Sequence, residues 1–407
     1  MKIYQVGGAV RDKLLKLPII DRDWVVVGST PGEMEKLGFK PVGRDFPVFL
    51  HPDTHEEYTL ARTERKSGKG YKGFTIHTAP DVSLADDLAQ RDLTINAMAE
   101  DEQGNLIDLF GGINDLKAGM LRHVSPAFAE DPLRVLRVAR FAARLDFRIA
   151  AETLGLMQKI THSGELTALV PERIWSETER ALAEHYPARF IEVLRACDAL
   201  LVLFPEIDRL FGVPQPENYH PEIDTGVHTL MALSQAARLT GDPQIRFAAL
   251  VHDLGKGATP ESDWPKHAGH EKSGVLLVEG LCRRYHVPNA WRELAVLVTR
   301  YHLDAARVQE MRMDILVEKL EALDAFRRPE RFEQFLLACE ADARGRQDCE
   351  NRDYPQADYF RKALQTAAGI DIQALVAQGL EGEAMGMAIR TQRIARLKQG
   401  MGGNSPH

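Results

Sequence analysis

Cysteine is scarce in this chain of 407 residues: Cys197, Cys282, Cys339 and Cys349 are the full complement, and no two form a Cys-x-x-Cys pair. That excludes a disulfide framework and a zinc knuckle and suits a reducing compartment, so a cytoplasmic protein is expected. Long apolar runs are missing as well, and the first residues carry no charged-then-apolar leader. A soluble chain that is neither exported nor membrane-bound is therefore expected. Basic excess is a third absence, with 51 Lys and Arg against 59 Asp and Glu, a net charge of −8. General nucleic-acid binders are usually basic, so any nucleic acid here has to be held by local patches. The best such patch is Arg62, Arg65, Lys66, Lys69 and Lys72, punctuated by glycine and joined by Tyr71, and it reads equally well as a solvated loop. No internal repeat is visible. With 44% hydrophobic residues the chain can nevertheless bury the cores of two or three domains.

What is present is concentrated first at the amino end. The β-leaning runs Lys2-Ile3-Tyr4-Gln5-Val6 and Trp24-Val25-Val26-Val27 flank Gly7-Gly8 and a short amphipathic segment, a pattern of strand, tight turn, helix and strand. The glycines let a polyanion approach the backbone, and Arg11 on the first helical turn offers a charged fork. Asp21 and Asp23 sit two apart, so on a strand both carboxylates project to one side. Such a pair needs a cation, and Mg²⁺ is the hard ion that binds through carboxylates and substrate phosphates. Each feature alone also fits an ordinary turn or a solvated strand end.

The stretch Val6-Gly7-Gly8-Ala9-Val10-Arg11-Asp12 followed by Asp21-Arg22-Asp23 resembles the nucleotidyltransferase head of bacterial tRNA CCA-adding enzymes, a class shared with bacterial poly(A) polymerase. The resemblance runs through most of the chain and is closest to members with an HD domain behind the polymerase. It implies a template-independent enzyme that adds C, C and A to the tRNA 3′ end from CTP and ATP, with Asp21 and Asp23 holding Mg²⁺. Glu57, on a strand-like run that could neighbour the aspartate pair, is the candidate third carboxylate; the alternative is a surface charge. Gly8, Arg11 and Arg91 would complete the nucleotide pocket. Beside Arg91 the family usually carries a second arginine, where this chain has Gln90.

Further on, Glu130-Asp131-Pro132 precedes a helical pattern, so a helix is expected to start near Asp131 or Pro132. Val135, Leu136, Ala139, Ala142 and Ala143 form its apolar stripe, and Asp131, Arg134, Arg137 and Arg140 fall outside it. Alone, three arginines spaced by three fit a salt-bridged surface. The resemblance implies that Asp131 and Arg134 pair with the base edge of the incoming nucleotide, with Arg137 and Arg140 at its phosphates or sugar.

A second constellation follows the Gly212-Val213-Pro214-Gln215-Pro216 stretch, which reads as a linker. His228 lies in a helical run, His252-Asp253-Leu254-Gly255-Lys256-Gly257 follows another, and His267, His270, His302 and Asp304 come later. Mixed imidazole and carboxylate ligation suits a divalent transition metal, which acidifies water enough to attack a phosphodiester. The pattern resembles the HD phosphohydrolases. His228, His252, Asp253 and Asp304 are the expected ligands, with His270 and His302 outside that set. The resemblance implies hydrolysis of 2′,3′-cyclic phosphates, 2′-nucleotides and phosphate monoesters, with Ni²⁺ a candidate ion.

The expected architecture is an α+β nucleotidyltransferase head with a small mixed sheet (1–125), followed by an all-α neck and body (126–215), an HD domain (225–328) and a helical end with a disordered tail (329–407). Either a monomer or a homodimer is compatible with the sequence. Three other readings stay open, one of them a catalytically dead tRNA-binding module, which would need the Asp pair or the His-Asp pair to be missing, and both are present. A poly(A) polymerase would tail many RNAs with A alone, although its usual basic C-terminal extension is absent here. A guanosine-tetraphosphate synthetase/hydrolase also joins the two modules, but with the HD unit first.

Overall fold

Short β-leaning runs broken by turn residues in the first hundred positions assemble into a sheet, and longer helical periodicities take over beyond it. A computed structural model describes residues 1–42, 48–66, 74–218 and 220–401, apart from the side chains of 64–66 and 74–76. The chain divides into two units, Met1–Phe204 and Pro205–His407.

In the first unit the strands are β1 (Lys2–Val6), β2 (Asp23–Val27), β3 (Lys40–Val42), β4 (Val48–Leu50), β5 (Glu57–Leu60), β6 (Arg62–Lys66), β7 (Phe74–Thr78), β8 (Met98–Asp101) and β9 (Leu106–Asp108). The main sheet runs β3-β4-β5-β2-β1-β8-β9, while β6 and β7 form a separate ribbon. It is mixed, because β2 and β5 are parallel and β1 pairs antiparallel with both β2 and β8. Alternation along β2 decides what each face buries. Val25 packs with Val6, Ala61, Leu88 and Ala97 on one side, and Val26 packs with Met34, Phe49, Tyr58 and Leu60 on the other. Helices α1 (Gly8–Leu14), α2 (Pro31–Lys36), α3 (Leu84–Ala89) and α4 (Gly112–Ala118) punctuate the strands. Part of the basic patch, residues 67–73, lies outside the described residues.

Helices then follow: α5 (Leu133–Leu145), α6 (Ala151–His162), α7 (Pro171–Ala183), α8 (Pro187–Ala196) and α9 (Ala199–Leu203). The regular turns of α5 begin at Leu133, and its expected stripe of Val135, Leu136, Ala139, Ala142 and Ala143 is fully buried. Helices α8 and α9 are separated at Asp198, whose φ of 62° is left-handed and cannot continue a helix.

The second unit is built from α10 (Pro205–Asp208), α11 (Thr225–Leu239), α12 (Pro243–Val251), α13 (His270–Arg284), α14 (Asn289–Ala306), α15 (Met313–Ala322), α16 (Pro329–Arg344), α17 (Pro355–Ala368), α18 (Ile372–Ala377) and α19 (Gly382–Met401). Ala236, Ala249 and Ala341 pack together at the junction of α11, α12 and α16, where small side chains let the backbones approach. The stretch read as a linker belongs to this unit. Gln215 N–H donates to Ile223 O at 2.7 Å and Thr225 N–H to Val213 O at 2.9 Å, which ties it to the start of α11. The glycine-rich tail, 402–407, lies outside the described residues. All four cysteines are free.

Candidate functional site

The head site is built on the junction of β1, β2 and β5. Asp23 opens β2, and Asp21 lies in the irregular approach two residues earlier; both are exposed. Asp23 is in register with Val6 on one side and Glu57 on the other. Strand alternation therefore puts Asp23 and Glu57 side by side on one face, the face that Val25 shares farther along. Glu57 is thus brought to the aspartate although some thirty residues separate them in sequence.

Between β1 and α1 the chain turns through Gly7, at φ 73° and ψ −132°, a region that side-chain-bearing residues avoid. A β-carbon there would stand 2.7 Å from Arg91 Nη1 and 3.8 Å from Asp23 Oδ2. The missing side chain is what lets the Arg91 guanidinium lie against the turn, with the Asp23 carboxylate close to the same point. Gly8 borders Arg11, whose Nη2 is 3.5 Å from the corresponding position.

Behind the turn lies a buried network. Arg11 donates to Asp12 Oδ1 at 2.9 Å and to Asn96 Oδ1 at 2.5 Å, and Asp12 also accepts from Arg144 at 2.9 Å. Asn96 donates in turn to Asp92 Oδ1 at 3.0 Å, and Arg137 Nε donates to Asp92 Oδ2 at 2.8 Å. Burial alone would raise the Asp92 carboxyl, but the Arg137 charge and the Asn96 hydrogen bond override it and hold it well below the usual range. Burial likewise pushes the Arg11 guanidinium down, against the pull of Asp12. The guanidinium carbons of Arg11, Arg137 and Arg140 all lie over the Phe141 ring, 5.1, 5.9 and 4.8 Å from its centroid.

The other side chains expected on α5 have partners of their own. Arg134 donates to the backbone oxygens of Ala127 at 3.0 Å and Gln90 at 2.6 Å. Asp131 accepts from Leu133 N–H at 3.0 Å and from Arg173 Nη2 at 3.0 Å. Arg140 donates to the buried Glu177 at 2.7 Å. The arginine row is therefore not a solvated surface: each member is fixed by a carbonyl or a carboxylate. Asn96 and Arg173 join the site from outside the expected set. Asn96 had a legible signal in its spacing from Arg91 and Asp92, whereas Arg173 has none.

The second site is buried. His228 on α11, His252 and Asp253 after α12, and Asp342 on α16 converge: His228 Nε2 is 3.0 Å from Asp342 Oδ1 and 4.0 Å from Asp253 Oδ2. His252 Nε2 is 3.2 Å from Asp253 Oδ2 and 3.6 Å from Asp342 Oδ1. Asp304 is not brought there, and its carboxylate pairs instead with Lys319 Nζ at 2.6 Å. The reason is helical phase. His302 points inward on α14, and a residue two positions later is turned by about 200°. The acid that takes the expected place is Asp342. It lies on the buried stripe of α16 with Phe335, Ala338 and Cys339, and a charge on an apolar stripe was the signal for it.

His252 donates its Nδ1–H to Ala249 O at 2.8 Å, which leaves Nε2 free to ligate. That Nε2 is buried and has no hydrogen-bond partner, as is true of Asp253 Oδ1, so the residues fit a cation. Burial would raise both Asp253 and Asp342, yet His252 and Lys256 around the first, and His228 and His252 around the second, hold both carboxyls well below the usual range. Lys256 Nζ sits 2.6 Å from Asp253 Oδ2. His228, His252, Asp253 and Asp342 are thus the donors that could hold a divalent metal ion. His270 and His302 face the other oxygen of Asp253, at 3.3 and 3.6 Å from Oδ1. His267 is committed elsewhere, to Pro214 O at 2.7 Å and Thr259 Oγ1 at 2.6 Å.

Against known families, residues 3–122 match the poly A polymerase head domain and residues 225–328 the HD domain. Residues 146–211 match the probable RNA and SrmB-binding site of polymerase A. The chain is 63% identical over 402 residues to the multifunctional CCA protein of Thioalkalivibrio sulfidiphilus, covering 98% of each. It is 60% identical over 399 residues to that of Nitrosococcus oceani, again covering 98% of each. Among solved structures it is similar in fold to the Thermotoga maritima CCA-adding enzyme complexed with tRNA, with TM-score 0.63, 20% identity and coverage of 100% of this chain and 88% of that one. A CCA-adding enzyme in complex with ATP gives TM-score 0.65 at 21% identity, covering 100% and 87%.

Proposed function

Because the chain belongs to the multifunctional CCA protein family, and is a CCA-adding nucleotidyltransferase with an HD domain behind its head, we propose that it completes tRNA 3′ ends by adding C, C and A. It draws on CTP and ATP, releases pyrophosphate and uses no nucleic-acid template. The observation that carries this reading is the register of Asp23 with Glu57 beside the Gly7 turn and Arg91.

In this reading Asp21, Asp23 and Glu57 hold Mg²⁺, whose preference for hard oxygen donors their carboxylates meet. Bound there, Mg²⁺ supplies Lewis acidity to the attacking 3′-hydroxyl and to the departing pyrophosphate. The chain's own residues do the positioning. The bare backbone at Gly7 and Gly8 admits the triphosphate, and Arg91 balances its charge. Arg11, Asn96, Asp92 and Arg137 form a preorganised wall that need not rearrange when the nucleotide arrives. Asp131 and Arg134 select the base, with Arg137 and Arg140 toward the sugar and phosphates. For this to happen Arg134 exchanges a carbonyl partner for the base edge, so its present bonds hold it ready.

The HD site hydrolyses 2′,3′-cyclic phosphates, 2′-nucleotides and phosphate monoesters at damaged tRNA ends. His228, His252, Asp253 and Asp342 hold a transition metal such as Ni²⁺, which supplies Lewis acidity toward the phosphoester. Lys256 offers an ammonium for the phosphate at the edge of the cluster. A second reading of the head, tailing with A alone, draws on its match to the poly A polymerase head domain.

The test is purified chain with Mg²⁺ and tRNA lacking its 3′ end, given CTP and ATP separately and together and resolved at single nucleotides. The expected result is C and C with CTP alone, then one A and a stop when ATP is added. A long tail from ATP alone would overturn it in favour of the second reading.

A further inference from the structure

Two kinds of buried polar atom stand without a hydrogen-bond partner around the HD cluster. His252 Nε2 and Asp253 Oδ1 present lone pairs, which a cation satisfies, but Gln215 Nε2 and Arg346 Nε are donors. No metal ion answers a donor. An unpaired buried donor is costly, so its complement is an acceptor, and for a guanidinium an anionic one. Gln215 is 2% exposed, and its Oε1 accepts from Lys256 Nζ at 2.6 Å, while the same ammonium donates to Asp253 Oδ2 at 2.6 Å. Lys256 is thereby fixed at the edge of the cluster with one of its three donors left for a ligand.

Arg346 is carried to the same cluster by the end of α16. Asp342 lies about one turn earlier, and the chain leaves the helix through Gly345, where a β-carbon would stand 2.5 Å from Ala232 Cα of α11. That close approach brings Gly345 O to 3.1 Å from His228 Nδ1, and on the far side of Arg346 the N–H of Gln347 donates to Glu222 Oε2 at 3.3 Å. Glu222 Oε1 in turn is 3.0 Å from both His220 Nδ1 and His228 Nδ1. The backbone on either side of Arg346 is therefore pinned to residues that surround the metal donors. Its side chain is half-buried and, among the described residues, forms no ion pair. Arg344 shows the ordinary alternative two positions earlier, pairing with Glu340 at 2.8 Å and donating to Arg352 O at 3.0 Å. The charge of Arg346 reaches into the cluster. Burial would raise the Asp342 carboxyl, and His228, His252 and Arg346 hold it well below the usual range. Burial pushes the His220 imidazole down to about 4 against the pull of Glu222, and the Lys256 and Arg346 charges add to that, so both cations act at one point.

We propose that Arg346 is a substrate-binding residue of the HD site, gripping with Lys256 the phosphoryl group of a phosphate monoester. A planar guanidinium matches two phosphate oxygens with parallel hydrogen bonds, which an ammonium cannot do. The inference rests on the reading of this unit as a metal-dependent phosphohydrolase and names the substrate class that the site holds best. Charge decides the class. A monoester carries about 1.5 to 2 negative charges near neutral pH, whereas a cyclic phosphodiester carries a single one. An unpaired guanidinium beside Lys256 therefore favours 2′-nucleotides and other monoesters over the cyclic phosphate.

The experiment uses the full chain loaded with Ni²⁺, follows hydrolysis of a 2′,3′-cyclic nucleotide and of a 2′-nucleotide, and titrates inorganic phosphate as inhibitor. For Arg346→Met the inhibition constant of phosphate and the KM for the 2′-nucleotide should each rise about tenfold or more, as expected for a lost charged hydrogen-bond pair, and the KM for the cyclic substrate about threefold or less. Arg346→Lys, which keeps the charge without the fork, should fall between the two, and Arg344→Met should match the unaltered chain. Bound nickel and CCA addition in Mg²⁺ should be unchanged in all three; a merely structural role would lower both and would not separate the two substrates. Unchanged phosphate inhibition and KM in Arg346→Met, or in Arg346→Lys should the first variant lose its nickel, would overturn the assignment and leave the hydrolase reading standing. Equal rises in both KM values would overturn the preference for monoesters. An unaltered, nickel-loaded chain that hydrolyses neither substrate would overturn the hydrolase reading itself.

Discussion

In the head, the carboxylates of Asp23 and Glu57 stand exposed at the ends of neighbouring strands, with Asp21 exposed in the irregular approach to β2, whereas in the second unit those of Asp253 and Asp342 are buried among imidazoles. Both arrangements suit divalent cations, but the surroundings set different terms. An exposed all-oxygen site leaves room for water and for a triphosphate, so its ion can arrive with the substrate. A buried nitrogen and oxygen cluster instead leaves orphaned donor atoms when no ion is present, so its metal belongs to the fold. The same contrast separates Arg134, Arg137 and Arg140 of α5, each held by a carbonyl or a carboxylate, from His252 and His270, whose Nε2 atoms have no hydrogen-bond partner.

The comparison can be broken first at the ligand exchanged between expectation and structure. Asp342→Asn should lower HD-site hydrolysis by about a hundredfold or more, while Asp304→Asn, which loses only the Lys319 pair, should stay within about threefold. Rates on a cyclic phosphodiester check this; a larger loss for Asp304→Asn would reverse the assignment.

Metal linkage sharpens the contrast. Ni²⁺ at about 100 times its dissociation constant should add about 2.7 kcal/mol to the folded second unit. For a unit of that size the expected rise in Tm is about 5–10 °C by scanning calorimetry. Mg²⁺ without nucleotide should move the head's transition little. Equal shifts from both ions would remove the distinction between resident and substrate-borne metal.

The smallest effect is on acid stability. Asp92 is held below its unfolded value of about 4 by Arg137 and Asn96. A depressed carboxylate contributes stability above its unfolded pKa, and that contribution is lost as the pH falls through the folded one. The head should therefore weaken below about pH 4, and Asp92→Asn should flatten that dependence in acid titrations followed by circular dichroism.

How much of this was legible follows from how local each feature is. The turn at Gly7 and Asp23 beside it lie within some two dozen consecutive residues, and the stripe on α5 repeats every turn, so both could be read directly; Asp21, expected on the same strand, lies before β2 begins. Glu57 needed the parallel pairing of β2 with β5, which no local pattern reports. The partners of the arginine row come from the turn after α3, from the stretch before α5 and from α7, and only packing brings them together. Asp342 lies 89 positions after Asp253 on a helix whose buried stripe it interrupts; sequence proximity favoured Asp304, and helical phase excluded it.

The central claim is that one chain carries two separate metal chemistries, and the most direct measurement assays both activities on two variants. Asp23→Ala should lower CCA addition by about a thousandfold or more and leave cyclic-phosphate hydrolysis within about twofold, whereas Asp342→Asn should lower that hydrolysis by about a hundredfold or more and leave CCA addition within about twofold. Loss of both activities in either variant, or of neither, would contradict the account.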